Sequence, residues 1–342
     1  MELKYDNEIK QGHVCYLSAM ANIMNYFSYH VSEYDLLIPI TGLDIIINRD
    51  EDGIDIRCSD VRVDEQKYIS FFNYIGFNFE TICRKDNYSI EFIESQINNS
   101  IPVIACVDVY KLSYHPEYSK KHALHIVAIF GIDKKRHEVL VLDSDVTTIA
   151  KSTFYGWIKY DEWDFIMDLN KCNISFRNLY WVLEPNTRNF KYFNENTKFE
   201  ILRYSAIKFL FYSDANYGIT AISSLREYIN KFKNCVFFNS NRDELYNLYI
   251  MLTSQCGPVA TRKLISLFLE NIESIFKISS ILIQGYKDLS HDWLITAKLI
   301  LKTLIKYNMT QIKHISDRLD AIQKKENNLA RLIIESSEKR RM

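Results

Sequence analysis

Apolar residues recur at Leu17, Met20, Ala21, Met24 and Phe27, the spacing of one helix face. Tyr16, Ala19 and Ile23 make the opposite side apolar too, so the pattern predicts a helix, ending near Tyr29, that is buried nearly all round. Gly12 allows a tight turn just before it. Residues 33–62 mix short apolar runs with the polar turn Asn48 to Gly53, which lacks the ligand spacing of a calcium loop. Residues 64–76 read as a helix closed by Gly76, and Ser89 as the N-cap of another that carries Phe92, Ile93 and Ile97 on one face. Ile101 to Val107 is a continuous apolar run, hence a buried strand. The apolar runs 125–133 and 138–143, either side of the charged turn Lys134 to His137, predict a hairpin. A strand then a helix are expected over 153–170, and a last strand over 178–183. Beyond Phe199 the period is helical throughout, with helices expected over 200–211, 218–232, 241–254, 258–278, 289–307 and 310–338. The pattern predicts an α+β domain over 1–190 followed by an all-α domain over 196–342.

Composition narrows the function. A net charge of −1 argues against a nucleic-acid binder with a basic face. Seven cysteines contain no C-x-x-C pair and form no even framework, which argues against a zinc ribbon or a disulfide scaffold and for reduced thiols in a cytoplasm. The N-terminus lacks an apolar signal core, and no apolar run approaches the ~20 residues that span a bilayer. A cytoplasmic protein without a membrane partner or bound metal is expected.

The chemistry centres on Cys15, placed where a loop turns into the buried helix. A thiol there meets the positive end of the helix dipole and unpaired N–H groups, surroundings that suit a nucleophilic thiolate. The alternative is a small buried hydrophobe. What favours chemistry is the hairpin: His125 opens its first strand and Asp143 closes its second, so antiparallel pairing makes them neighbours, an imidazole and its orienting carboxylate. His122 is the rival base and Asp145 the weaker alternative to Asp143. His122-x-x-His125 as a metal pair lacks further ligands, since zinc sites need three or four. Asp108 either binds a substrate amine or caps its loop. Tyr110, Tyr114, His115 and Tyr118 lie on the segment leading to His125 and are candidates to contact substrate, with a structural loop role as the alternative.

His13-x-Cys15-x-x-Ser18-Ala19-x-Ala21-Asn22, Pro102-Val103-Ile104 leading to Val107-Asp108-x-Tyr110, Tyr114-His115-Pro116-x-Tyr118 and His122-x-x-His125 together resemble the N-terminal domain of the butirosin-biosynthesis protein H family. The resemblance covers roughly residues 8–185. It extends more weakly into a helical C-terminal domain through Tyr217-Gly218-Ile219-x-Ala221-Ile222 and Cys256-Gly257-Pro258. It implies a papain-like (C39 peptidase-like) cysteine-enzyme fold. It implies an acyltransferase of specialised metabolism that moves an aminoacyl chain from an acyl or peptidyl carrier protein, through an acyl-Cys15, to a small-molecule amine. No cofactor would be bound; phosphopantetheine would belong to the carrier. Two departures stand out. Relatives of this fold carry an oxyanion glutamine six residues before the cysteine, where this chain has Ile9, leaving Gln11 or His13 as the candidate donor beside the Cys15 N–H. The second strand ends Asp143-Ser144 instead of Asp-Pro. A cysteine peptidase, amidase or thioesterase would use the same Cys15, His125 and Asp143, and a non-catalytic binding module is the third reading.

Overall fold

The computed structural model describes residues 1–50, 53–58, 65–83, 90–146, 153–159, 178–186, 195–276 and 278–338. In chain order the elements that matter here are helix α1 (Cys15–Tyr26), α2 (Glu33–Thr41), strands β1 (Ile46–Asp50) and β2 (Gly53–Arg57), α3 (Glu65–Tyr74), β3 (Phe77–Cys83), α4 (Ile90–Asn98), β4 (Val103–Asp108), β5 (Leu124–Asp133), β6 (Glu138–Asp143), β7 (Phe154–Lys159) and β8 (Asn178–Pro185). Among the described residues the helices that follow are α5 (Glu195–Phe211), α6 (Gly218–Lys231), α7 (Cys235–Ser240), α8 (Arg242–Thr253), α9 (Pro258–Phe276), α10 (Ser280–Ile305) and α11 (Met309–Glu338). The chain is α+β, with a sheet-containing N-terminal part and a helical C-terminal part. Among the described residues no helix is long and apolar enough to cross a membrane.

Two compact units divide the chain. One comprises Met1–Leu36 and Val61–Tyr192, the other Leu37–Asp60 and Phe193–Met342. Residues 37–60, read from the sequence as part of the first domain, group with the C-terminal helices. The reason is main-chain hydrogen bonding from this segment: Ile47 N–H to the Asn216 carbonyl, Gly218 N–H to the Ile45 carbonyl, and Cys58 N–H to the Cys256 carbonyl.

The first unit is built on a six-stranded sheet, order β3-β8-β4-β5-β6-β7, with every neighbouring pair antiparallel. β4 and β6 are buried along their whole length, which is why they read as unbroken apolar runs. α1 packs on β5, and all of its residues from Tyr16 to Met24 are buried. Of the strand and helix expected over 153–170, β7 is the strand and the helix lies outside the described residues, as does the N-cap expected at Ser89.

In the second unit, α10 starts at Ser280, nine residues before the sequence period suggested. Ser279 caps it by accepting the Ile281 N–H. Gly285 lies inside the helix because Leu329 of α11 presses on it: a Cβ there would run into the leucine methyls. A fully buried Arg262 donates from Nε to Glu326 at 2.7 Å and from its guanidinium to the Leu43 carbonyl at 3.0 Å, and Trp293 donates to the same Glu326 oxygen. These bonds use the Arg262 guanidinium and one Glu326 oxygen; Glu326 Oε2 is buried without a hydrogen-bond partner among the described residues.

Candidate active site

The site assembles where the start of α1 meets the open ends of β5 and β6. β4 and β5 pair Val107 with His125, and β5 and β6 pair Ala128 with Leu142, so the first residues of β5 lie beside the last of β6. His125 Nε2 sits 2.9 Å from Asp143 Oδ2, and both residues are buried. Cys15 is among the groups that act on the same ring. Cys15 is half-buried, whereas Cys58 and Cys106 are buried.

Electrostatics follow from this packing. Burial alone would push the His125 imidazole down; the Asp143 charge, its hydrogen bond and Cys15 outweigh burial and hold the ring well above the usual histidine range. Burial works against an ionised Asp143 too, but His125, the Asp145 N–H and the Tyr114 hydroxyl bring it below the usual carboxylate range. Both shifts favour an imidazolium facing a carboxylate, with Cys15 as a further influence on the ring. Tyr114 donates to Asp143 Oδ2 at 3.1 Å and stacks on Phe154, which β7 places opposite Asp143. Desolvation and the neighbouring Asp143 keep that hydroxyl protonated. The His115 ring lies 5.3 Å from that of His125, and burial, then His125, push it down to about 4, so it is neutral near pH 7.

Other residues singled out in the sequence fall elsewhere. His122 donates or accepts at 2.6 Å with Asp108 and stacks on Tyr110. Asp108 also accepts the N–H groups of Tyr110 and Ala123. Its carboxylate is thus occupied as a loop cap, and His122 is committed to a different carboxylate from His125. Tyr118 is exposed, and so is Gln11. His13 gives both its backbone N–H and its ring Nδ1 to Glu33, each at 2.8 Å. Among the described residues no cluster of three or more His, Cys, Asp or Glu is placed to hold a metal ion.

Glu33 was not legible as part of this region. Besides His13 it accepts the Val14 N–H at 3.1 Å and the Ser18 hydroxyl at 2.7 Å, so one buried carboxylate from α2 fixes the turn that presents Cys15. Val14, the residue at the N-cap, contributes no side-chain cap, and Glu33 supplies the negative charge that this end of a helix favours. Ser144 is the second contributor: its carbonyl accepts the Gly12 N–H at 2.6 Å, and its hydroxyl accepts from Asn22 of α1. The two contacts lock the end of β6 against α1.

A thiol at a helix start, a histidine on one strand and a carboxylate on the next, gathered on one α+β unit, define the class of domain. Residues 13–144, which hold all three, match the family model described as butirosin biosynthesis protein H, N-terminal. Over that segment the chain is similar to this family. No curated protein matches the chain.

Proposed function

We propose that the protein is a cysteine-dependent acyltransferase of specialised-metabolite biosynthesis, with a papain-like arrangement of Cys15, His125 and Asp143. The observation that supports this reading is the His125 ring, bonded to Asp143 through Nε2, with Cys15 among the groups acting on the same ring. The family described as butirosin biosynthesis protein H supports the biosynthetic context.

In this reading the Cys15 thiolate attacks the carbonyl of a thioester held on the phosphopantetheine arm of a carrier protein. The Sγ–C bond forms, the C–S bond to the carrier breaks, and the departing thiolate takes the proton from His125. An incoming amine then attacks the acyl-Cys15 carbonyl. Neutral His125 takes the amine proton, the amide forms, and the Cys15 thiolate and His125 imidazolium are restored. Exchange between two thioesters is nearly isoenergetic, and the amide makes the second step downhill. Asp143 fixes which nitrogen of His125 bears which proton. The reading places the protein in the cytoplasm, where its thiols stay reduced.

The test is intact-mass analysis of the protein mixed with an acyl carrier protein thioester, with the adduct mapped by peptide digestion. Acyl mass on Cys15, cleared on addition of an amine with amide as product, supports the transferase. Clearance by water alone at the same rate, giving free acid, makes it a hydrolase with the same residues. No adduct on Cys15 with any carrier thioester overturns the reading.

A further inference from the structure

Asp145 has no place in the chemistry above, yet it is only 2% exposed and its Oδ2 is buried without a hydrogen-bond partner among the described residues. An unpaired buried carboxyl is costly, so a position that keeps one calls for an explanation. Its location gives a direction. Asp145 lies two residues past the end of β6, and its own N–H donates to Asp143 Oδ1 at 2.9 Å. The preceding residue is anchored by its carbonyl to the N–H of Gly12, directly before the helix that bears Cys15. The ionisable groups that act on Asp145 are His125 from β5, Asp143 from β6, Glu33 from α2 and His13 from the turn into α1. Asp145 therefore stands between the histidine and the start of the nucleophile helix.

That is where a carbonyl oxygen attacked by Cys15 would acquire charge. The backbone N–H of Cys15 is one available donor. Of the other donors, the His13 N–H and Nδ1 are bonded to Glu33, Tyr114 is bonded to Asp143, and Gln11 is exposed, while the neutral His115 ring lies beside His125. We propose that the protonated Asp145 carboxyl supplies the second hydrogen bond to the oxyanion of the acyl-transfer intermediate. The proton stays on Asp145 throughout: Sγ–C bond formation moves the carbonyl π pair onto oxygen, the Asp145 O–H donates to that oxygen, and collapse returns the pair as the leaving thiolate departs. Burial, the largest influence on this carboxyl, moves it to about 7, so a neutral population exists at physiological pH. Ionised, the same group would repel the oxyanion.

The inference rests on Cys15 being the acylated nucleophile, and two probes applied to the full chain separate the two claims. Acetyl-N-acetylcysteamine, a small thioester, acylates through an oxyanion; iodoacetamide alkylates a thiol with none. Asp145→Ala should slow acetylation of Cys15 by about 10²–10³-fold, the range for loss of one oxyanion donor, and leave alkylation within about twofold. Asp145→Asn keeps an N–H donor that does not ionise. It should retain acetylation within about tenfold and remain active above ~pH 7, where the wild-type rate falls. Asn as defective as Ala with alkylation intact would overturn the proposal in favour of a role for the negative charge, and full acetylation by Asp145→Ala would overturn it outright. Should Asp145→Ala fail to fold, wild type and Asp145→Asn compared across ~pH 6–9 decide alone, and identical profiles overturn it. If wild type is not acetylated on Cys15, the nucleophile assignment has failed, seen without any Asp145 variant, and the proposal falls with it.

Discussion

The carbonyl of Ser144 accepts the N–H of Gly12 at 2.6 Å, joining the residue after Asp143 to the turn that presents Cys15. Cys15 and Asp143, far apart in sequence, are drawn together in part by this main-chain bond, helped by Asn22 on the Ser144 hydroxyl. Sheet pairing supplies His125 and Asp143 together; the bond to Gly12 supplies the third member.

Gly12 should therefore tolerate no side chain. A Cβ there would stand 2.7 Å from Ser18 Cβ and collide with its hydroxyl, driving Ser18 off Glu33. Gly12→Ala is expected to destabilise the protein by ~1–3 kcal/mol, the usual cost of overpacking. Adding Ser18→Ala should recover part of the loss. Thermal unfolding of the two single variants and the double variant measures the coupling, and strict additivity would place the strain elsewhere.

His125 and His122 should part company on mutation. His125→Ala is expected to abolish acylation of Cys15, whereas His122→Ala, which releases only Asp108 and Tyr110, should cost less than about tenfold. Asp143→Asn should keep the fold and lower the rate by up to ~10⁴-fold, because an amide no longer fixes the ring tautomer. Single-turnover acylation rates with circular dichroism as the folding check would reveal the opposite ranking.

The parts of this arrangement that were legible in the sequence are those written in local patterns. α1, the buried run of β4 and the β5–β6 hairpin each carry their own period, and a hairpin brings its two ends together by construction, so His125 and Asp143 could be paired. Glu33 carries no such signal: it meets His13, Val14 and Ser18 only after α2 folds back on the turn, and no spacing encodes that return. The same holds for the β1–β2 hairpin, whose unit is set by bonds to Asn216 and Cys256 far along the chain. In α10 the reading started late because the turns before Leu289 include Gly285, an apparent breaker kept for its close approach to Leu329. Of the two candidates for the second oxyanion donor, Gln11 is exposed and His13 bonds Glu33 through its N–H and Nδ1.

Glu33→Ala should expose how much that carboxylate holds. It leaves the His13 and Val14 N–H groups without this acceptor in a mostly buried place, while the Ser18 hydroxyl keeps only the Val14 carbonyl. The expected destabilisation is on the order of 3 kcal/mol. Because the turn before Cys15 loosens, kcat for acyl transfer should fall more than KM for the carrier rises. A denaturant midpoint unchanged from wild type would assign Glu33 no such role.

Lys120 and Lys121 are exposed on the loop that leads to His125. If an acidic carrier docks there, reversing both to glutamate should raise the apparent KM for the carrier-bound donor several-fold and leave a small thioester unaffected. The effect should shrink as salt rises, since exposed charges are screened beyond about 8–10 Å near physiological ionic strength. Equal losses on both donors would indicate damage to the site itself.

The pH dependence of stability offers a separate view of Asp145. Its carboxyl shifts from an ordinary 3.8 to about 7 on folding, chiefly through burial. The sign follows from proton binding: between these two values the folded protein holds a proton that the unfolded chain has released, so stability falls as pH rises through the interval. Below ~4 both states are protonated and the group contributes nothing; above ~7 both are ionised and the penalty is constant. A shift of about three pKa units corresponds to a penalty on the order of 4 kcal/mol. Asp145→Asn removes the titrating group, so its stability relative to wild type should climb between ~pH 4 and ~pH 7 and then level off. Urea midpoints at pH 4.5, 6 and 7.5 measure this directly. A difference that stays flat with pH would mean that Asp145 ionises in the folded protein as it does in water, and that some group not named here compensates its charge.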